Sequence, residues 1–164
     1  MSTDIRTLEP KELWNNFADL NAVPRPSKKE ERVIEFMMNF GRELNLETIK
    51  DEIGNVVIKK PASQGMENRK KVILQSHLDM VHQKNGDTIF DFDKEGIKMR
   101  VQGDWIDAEG TTLGADNGIG VATIMATLSS NDIEHPPIEA LFTIDEEEAM
   151  KAMARMVPEG LISG

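Results

Sequence analysis

The sequence predicts an α/β fold with a mixed, partly parallel sheet flanked by helices. Three observations carry that expectation. Segments of strand character alternate along the chain with segments of helical periodicity. Two short runs, Val72-Ile73-Leu74-Gln75-Ser76 and Ile138-Glu139-Ala140-Leu141-Phe142-Thr143-Ile144, are almost wholly apolar, as strands covered on both faces are. The connections around residues 76–120 and 129–138 favour parallel pairing over a run of hairpins.

Each element has its own local reason. Residues 10–21 read as a first helix, with Pro10 suited to its first position and Leu13, Trp14, Phe17 and Leu20 at helical spacing. Pro24-Arg25-Pro26 interrupts. Ser27 then reads as an N-cap, with Glu30 completing a capping box, and the helix that follows is expected to bury Val33, Ile34, Phe36, Met37, Phe40 and Leu44. Strands are expected at residues 46–49 and 55–59, joined by the turn Asp51-Glu52-Ile53-Gly54-Asn55. Residues 61–70 read as a polar loop and 82–96 as irregular. Residues 97–101 and 105–108 suggest a hairpin about Gln102-Gly103-Asp104. The Gly-rich stretch 110–120 opens into a helix carrying Val121, Ile124, Met125 and Leu128, and residues 147–157 look helical. There is no internal repeat and no low-complexity tract.

Composition narrows the function classes. A chain of 164 residues can bury one real core, since domains cluster near roughly 100–150 residues. With no cysteine, a disulfide framework and a thiolate metal site are both excluded, so any metal must be held by His, Asp and Glu. The N-terminus lacks an apolar leader core, and no stretch approaches the roughly 18 apolar residues of a membrane span, so a cytoplasmic address without membrane partners is expected. A net charge of −10 argues against a nucleic-acid partner. It fits a solvated acidic surface, or carboxylates gathered around cations.

Three short acidic motifs concentrate the chemistry. His77-Leu78-Asp79 follows the first apolar run, where positions i and i+2 point to one side, so the carboxylate can orient the imidazole and leave one ring nitrogen for a metal. A capping His beside a surface Asp fits the same spacing. Asp116 lies in Gly114-Ala115-Asp116-Asn117-Gly118-Ile119-Gly120, a loop in which a short carboxylate can bridge two cations. The spacing fails the dinucleotide and phosphate-loop patterns, but Asp116 or Asn117 as a plain N-cap stays open. Asp145-Glu146-Glu147 follows the second apolar run. There one Glu can bind metal while its neighbour acts as a general base, or the group is simply an acidic first helical turn. His82 and His135 read as surface residues.

With these residues in view, the chain resembles a known family. Gln75-Ser76-His77-Leu78-Asp79-Met80-Val81, Gly110-Thr111-Thr112-Leu113-Gly114-Ala115-Asp116-Asn117-Gly118-Ile119-Gly120 and Thr143-Ile144-Asp145-Glu146-Glu147 are similar to the aminoacyl-histidine dipeptidases. These are cytosolic members of a large cocatalytic zinc metallopeptidase family. The likeness extends to Lys60-Pro61-Ala62 and Gly65-Met66-Glu67-Asn68-Arg69-Lys70. It implies a zinc-exopeptidase-like catalytic domain, with residues 1–164 as its incomplete N-terminal portion and no second domain. It further implies His77 as a zinc ligand oriented by Asp79, Asp116 as the carboxylate bridging two Zn2+ ions, Glu147 on the second zinc and Glu146 as general base. A cis peptide at Asp116-Asn117, a small dipeptide substrate, including those ending in His, and room for a homodimer follow from the same likeness.

Two departures from the family pattern qualify the expectation. Ala149 and Ala152 stand where the family has glycine, which favours a more regular helix after Glu147. Family members are much longer and add a further Asp and a distant His, so this chain offers each zinc one protein ligand fewer than the usual three or so. The expectation is therefore a dipeptidase centre held in part, with the isolated chain inactive. The alternative is a truncated relative acting as an interaction or regulatory module.

Overall fold

A computed structural model describes residues 4–149. A short 3-10 helix, Ile5–Thr7, leads into α1 (Lys11–Ala22) and α2 (Glu31–Glu43). The strands β1 (Glu47–Lys50), β2 (Val56–Lys60) and β3 (Val72–His77) follow, then the hairpin β4 (Met99–Gln102) and β5 (Trp105–Ala108). The helices α3 (Ala115–Ser129) and α4 (Glu146–Ala149), with the strand β6 (Ile138–Thr143) between them, complete the described chain. Of the expected helix at 147–157, the described residues hold only the part within Glu146–Ala149, and the rest, Ala152 included, lies outside them.

The main sheet has the order β1-β2-β6-β3. The β1–β2 and β2–β6 pairs are antiparallel and β3–β6 is parallel, in the register His77 opposite Thr143. The mixed, partly parallel sheet is therefore present. The parallel pair matters most, because it delivers the ends of β3 and β6, and with them two of the acidic motifs, to the same edge.

The period-2 alternation of the strands decides what they pack against. Val56 and Ile58 of β2 and Ile138, Ala140 and Phe142 of β6 share a core with Leu20, Val33, Met37, Val121, Ile124, Met125 and Leu128 from the three long helices. All four apolar residues expected on α3 are thus buried. On α2 the buried face is Val33, Met37, Met38 and Gly41, with Ile34, Phe36, Phe40 and Leu44 packed against it only in part. The hairpin closes a second, smaller cluster over α1 and α3, where Val101 and Ile106 meet Phe17 and Ala122.

Three expectations are corrected. The run 72–76 is not covered on both faces: β3 is an edge of the described sheet, and Val72 and Ile73 are 40% and 38% exposed. Ser27 does not cap α2. The helix starts later, Glu30 occupies the N-cap position, and the Glu30 carboxylate accepts from the Lys28 amide at 2.7 Å. His135 is buried, not on the surface. The 61–70 loop folds over it, with Ser63 hydrogen-bonded to both its amide and its carbonyl, and its Nδ1 rests 2.8 Å from the Pro136 carbonyl. His82 is exposed, as expected.

Candidate metal centre

His77 is the last residue of β3, and the strand continues far enough for the Leu78 amide to donate to the Thr143 carbonyl at 2.8 Å. That bond fixes the direction in which the imidazole leaves the sheet. Its Nδ1 lies 3.1 Å from the Asp79 carbonyl oxygen and 3.3 Å from Asp79 Oδ1. A proton on Nδ1 serves both acceptors, so Nε2 is the atom presented outward. It faces Asp116 Oδ1 at 3.2 Å and Glu146 Oε2 at 3.7 Å.

Asp79 is fully buried and gathers four donors. Besides His77, the Ser27 hydroxyl donates to Oδ2 at 2.7 Å, the Glu146 amide to Oδ1 at 3.2 Å and the Glu147 amide to Oδ2 at 3.2 Å. Burial alone would raise this carboxyl, but these hydrogen bonds outweigh it and hold Asp79 down at about 2. His77 shows the mirror balance. Burial lowers it, yet the hydrogen bond and charge of Asp79, with Asp116 and Glu146, lift it to about 9.

Asp116 comes from the start of α3, where the chain makes a sharp excursion. Gly114 takes a left-handed conformation (φ 70°), the Asp116-Asn117 peptide is cis, and both residues of that peptide have non-helical angles. No side chain caps this helix at Gly114, so the plain N-cap reading of Asp116 is not realised. Its carboxylate turns to His77 instead, from an exposed position. Ser76 steadies the turn by donating its hydroxyl to the Asn117 carbonyl at 3.1 Å. Glu146 and Glu147 form the first turn of α4, held there by Asp79, so the helix-turn reading and the site reading coincide. Partial burial, with the charges of Asp116, Glu146 and Asp79 against that of His77, raises the Glu147 carboxyl.

All five predicted site residues therefore converge. One ligand atom each from His77, Asp116 and Glu147 lies within 4.8 Å of the others. Nitrogen and carboxylate oxygen donors without sulfur suit a borderline divalent ion such as zinc. With metal–ligand distances of about 2.0–2.1 Å, two ligands on one tetrahedral ion sit about 3.3 Å apart, close to the 3.2 Å between His77 Nε2 and Asp116 Oδ1. The raised Glu147 carboxyl is the second mark of fit, since a cation would offset the neighbouring negative charges that help to raise it. Two residues with roles here escaped the sequence reading, Ser27 and Arg25. Neither carries a local signal, because each acts through partners some fifty residues or more away.

The comparisons with known proteins agree with this geometry. No protein-family model matches. The chain is 46% identical over 148 residues to the cytosol non-specific dipeptidase of Escherichia coli (strain K12). Among solved structures it is similar to the aminoacylhistidine dipeptidase of Vibrio alginolyticus, with a TM-score of 0.90, 49% identity and 92% of this chain covered. A tripeptidase from Staphylococcus aureus shares the fold at a TM-score of 0.67 and 24% identity. The resemblance read from the motifs thus holds across nearly all of this chain. The chain spans 30% of the length of the curated relative and 31% of the Vibrio chain.

Proposed function

We propose that this chain is part of the catalytic unit of a metal-dependent dipeptidase, and that the unit hydrolyses small dipeptides, including those with a C-terminal histidine. The observation that carries the reading is the convergence of His77, Asp116 and Glu147 within 4.8 Å, with Asp79 behind the imidazole. The names of the relatives, dipeptidases both, support the reaction class, and the word cytosol in one of them supports a cytoplasmic address. No helix among the described residues is long and apolar enough to cross a membrane.

Roles follow from position. His77, through Nε2, Asp116 and Glu147 would hold the zinc. Zinc supplies Lewis acidity that polarises the scissile carbonyl and makes a water acidic at neutral pH. Asp79 keeps the proton of His77 on Nδ1 and so keeps Nε2 available. Glu146 stands beside this group with its carboxylate 3.7 Å from Nε2, placed to take a proton from the attacking water and pass it to the leaving amine. Shared between two zinc ions, these residues give each fewer protein ligands than a catalytic site usually has, so the chain alone is expected to be inactive or nearly so.

Zinc titration of the protein with Glu146→Gln and Glu147→Gln variants tests the assignment. Glu146→Gln should keep zinc and lose about 100-fold or more in dipeptide hydrolysis by the complete unit, whereas Glu147→Gln should lose zinc. Equal zinc binding by wild type and Glu147→Gln would refute the ligand assignment.

A further inference from the structure

Arg25 is 1% exposed, yet among the described residues no carboxylate takes its hydrogen bonds. Its two terminal nitrogens bond two loops and one helix, while Nε has no partner among the described residues. Nη1 donates to the Leu78 carbonyl at 2.9 Å and the Asp79 carbonyl at 3.3 Å. Nη2 donates to the Gly114 carbonyl at 2.6 Å and to Asn21 Oδ1 at 2.9 Å. The Asp79 carbonyl is the same oxygen that His77 Nδ1 approaches, and Gly114 stands two residues before Asp116. A single planar group therefore touches both halves of the candidate centre from behind.

The surroundings are shaped to that group. The Met80 amide donates to the Arg25 carbonyl and the Ser27 amide to the Met80 carbonyl, so the 25–27 segment runs beside the 78–80 segment. A Cβ on Gly114 would stand 2.6 Å from Arg25 Nη2, and one on Gly118 would stand 2.7 Å from it. Gly114 also needs its left-handed backbone, but Gly118 does not, so the guanidinium and the nearby Phe17 ring account for its missing side chain. Burying a cation this way is costly. Desolvation pulls Arg25 down to about 10, only partly countered by the charge of Asp79. Hydrocarbon of the same volume would fill the space with less penalty, but it could not tie three carbonyls from two loops into one plane.

We propose that Arg25 is a positioning residue: by clamping the Leu78 and Asp79 carbonyls to that of Gly114, it sets the gap across which His77 Nε2 faces the Asp116 carboxylate. The inference rests on the metal centre proposed above and extends it to a residue that touches neither metal nor substrate.

The test compares Arg25→Lys, which keeps a cation but loses the fork, with Met37→Ala, which weakens the core away from the site. Zinc alone is the probe, titrated by calorimetry into the metal-free protein. Arg25→Lys should lower zinc affinity by about 10–100-fold, the range for removing a partner behind the ligands, and Met37→Ala should leave it within about twofold at a comparable loss of thermal midpoint. Gly118→Ala provides a second approach, since it pushes on the guanidinium without removing it. It should also weaken zinc binding, and its effect should shrink in the Arg25→Lys background. Unchanged affinity in Arg25→Lys, an equal loss in Met37→Ala, or strict additivity of the pair would overturn the proposal. Hydrogen exchange in the metal-free protein separates this from failure of the metal reading. If wild type binds no zinc, faster exchange of the Met80 and Gly118 amides in Arg25→Lys still supports the clamp, and unchanged exchange refutes it.

Discussion

At the scale of single residues, the centre sets a buried pair, His77 and Asp79, against carboxylates that reach toward solvent. His77 and Asp79 illustrate the consequence for stability in the metal-free protein. The folded pKa of His77, about 9, lies above its ordinary 6.5, so its contribution is complete below about 6.5 and is lost as pH rises through about 9. Asp79 moves the other way, from 3.8 to about 2, so its contribution is complete above about 3.8 and is lost as pH falls through about 2. Urea midpoints measured from pH 3 to 10 in the presence of a chelator should therefore sag at both ends. His77→Gln should flatten the alkaline side by something on the order of 1–3 kcal/mol, and an unchanged alkaline limb would refute the pairing. The three motifs singled out His77, Asp79, Asp116, Glu146 and Glu147, which the structure brings together, but the role expected of each came from the family resemblance. Ser27 and Arg25 were not legible. A serine three residues before a glutamate looks like a cap, and nothing in Pro24-Arg25-Pro26 announces a buried guanidinium.

At the scale of elements, the sheet shows what apolar runs do and do not report. The two runs look alike in sequence, yet β6 is buried along all six residues and β3 is exposed at its first half. Side-chain type reports affinity for an interior, whereas burial depends on sheet order, which is settled by pairing across the fold. Phe142→Ala on β6 should accordingly cost about 3–5 kcal/mol in chemical denaturation, and Val72→Ala on β3 no more than about 1 kcal/mol. Similar losses at both positions would mean that β3 is covered in the protein as studied. The hairpin and α3 were legible to within a few residues because turn glycines and helical spacing are local signals. The α2 start was not, since the hydroxyl that would have capped it is drawn off to Asp79.

At the scale of the whole molecule, the proposed function needs more metal ligands than the described residues bring to the centre. Purified residues 1–164 should hydrolyse a histidine-containing dipeptide at no more than a trace rate with zinc present. Zinc-dependent turnover by that chain, abolished in Glu146→Gln, would show that these residues suffice. The class of fold was legible at this scale because alternation of strands and helices is a pattern of the entire chain. Asp79 gives the arrangement one more property. It accepts from the ring of His77 and from the amides of Glu146 and Glu147 at once, so ordering of the acidic turn and orientation of the imidazole are a single equilibrium seen from two places. By thermodynamic reciprocity, whatever a cation gains from finding that turn already seated, the turn gains in persistence from the cation. Loading the centre should slow exchange of the Glu146 and Glu147 amides by the same factor by which restraining those amides would tighten the ion.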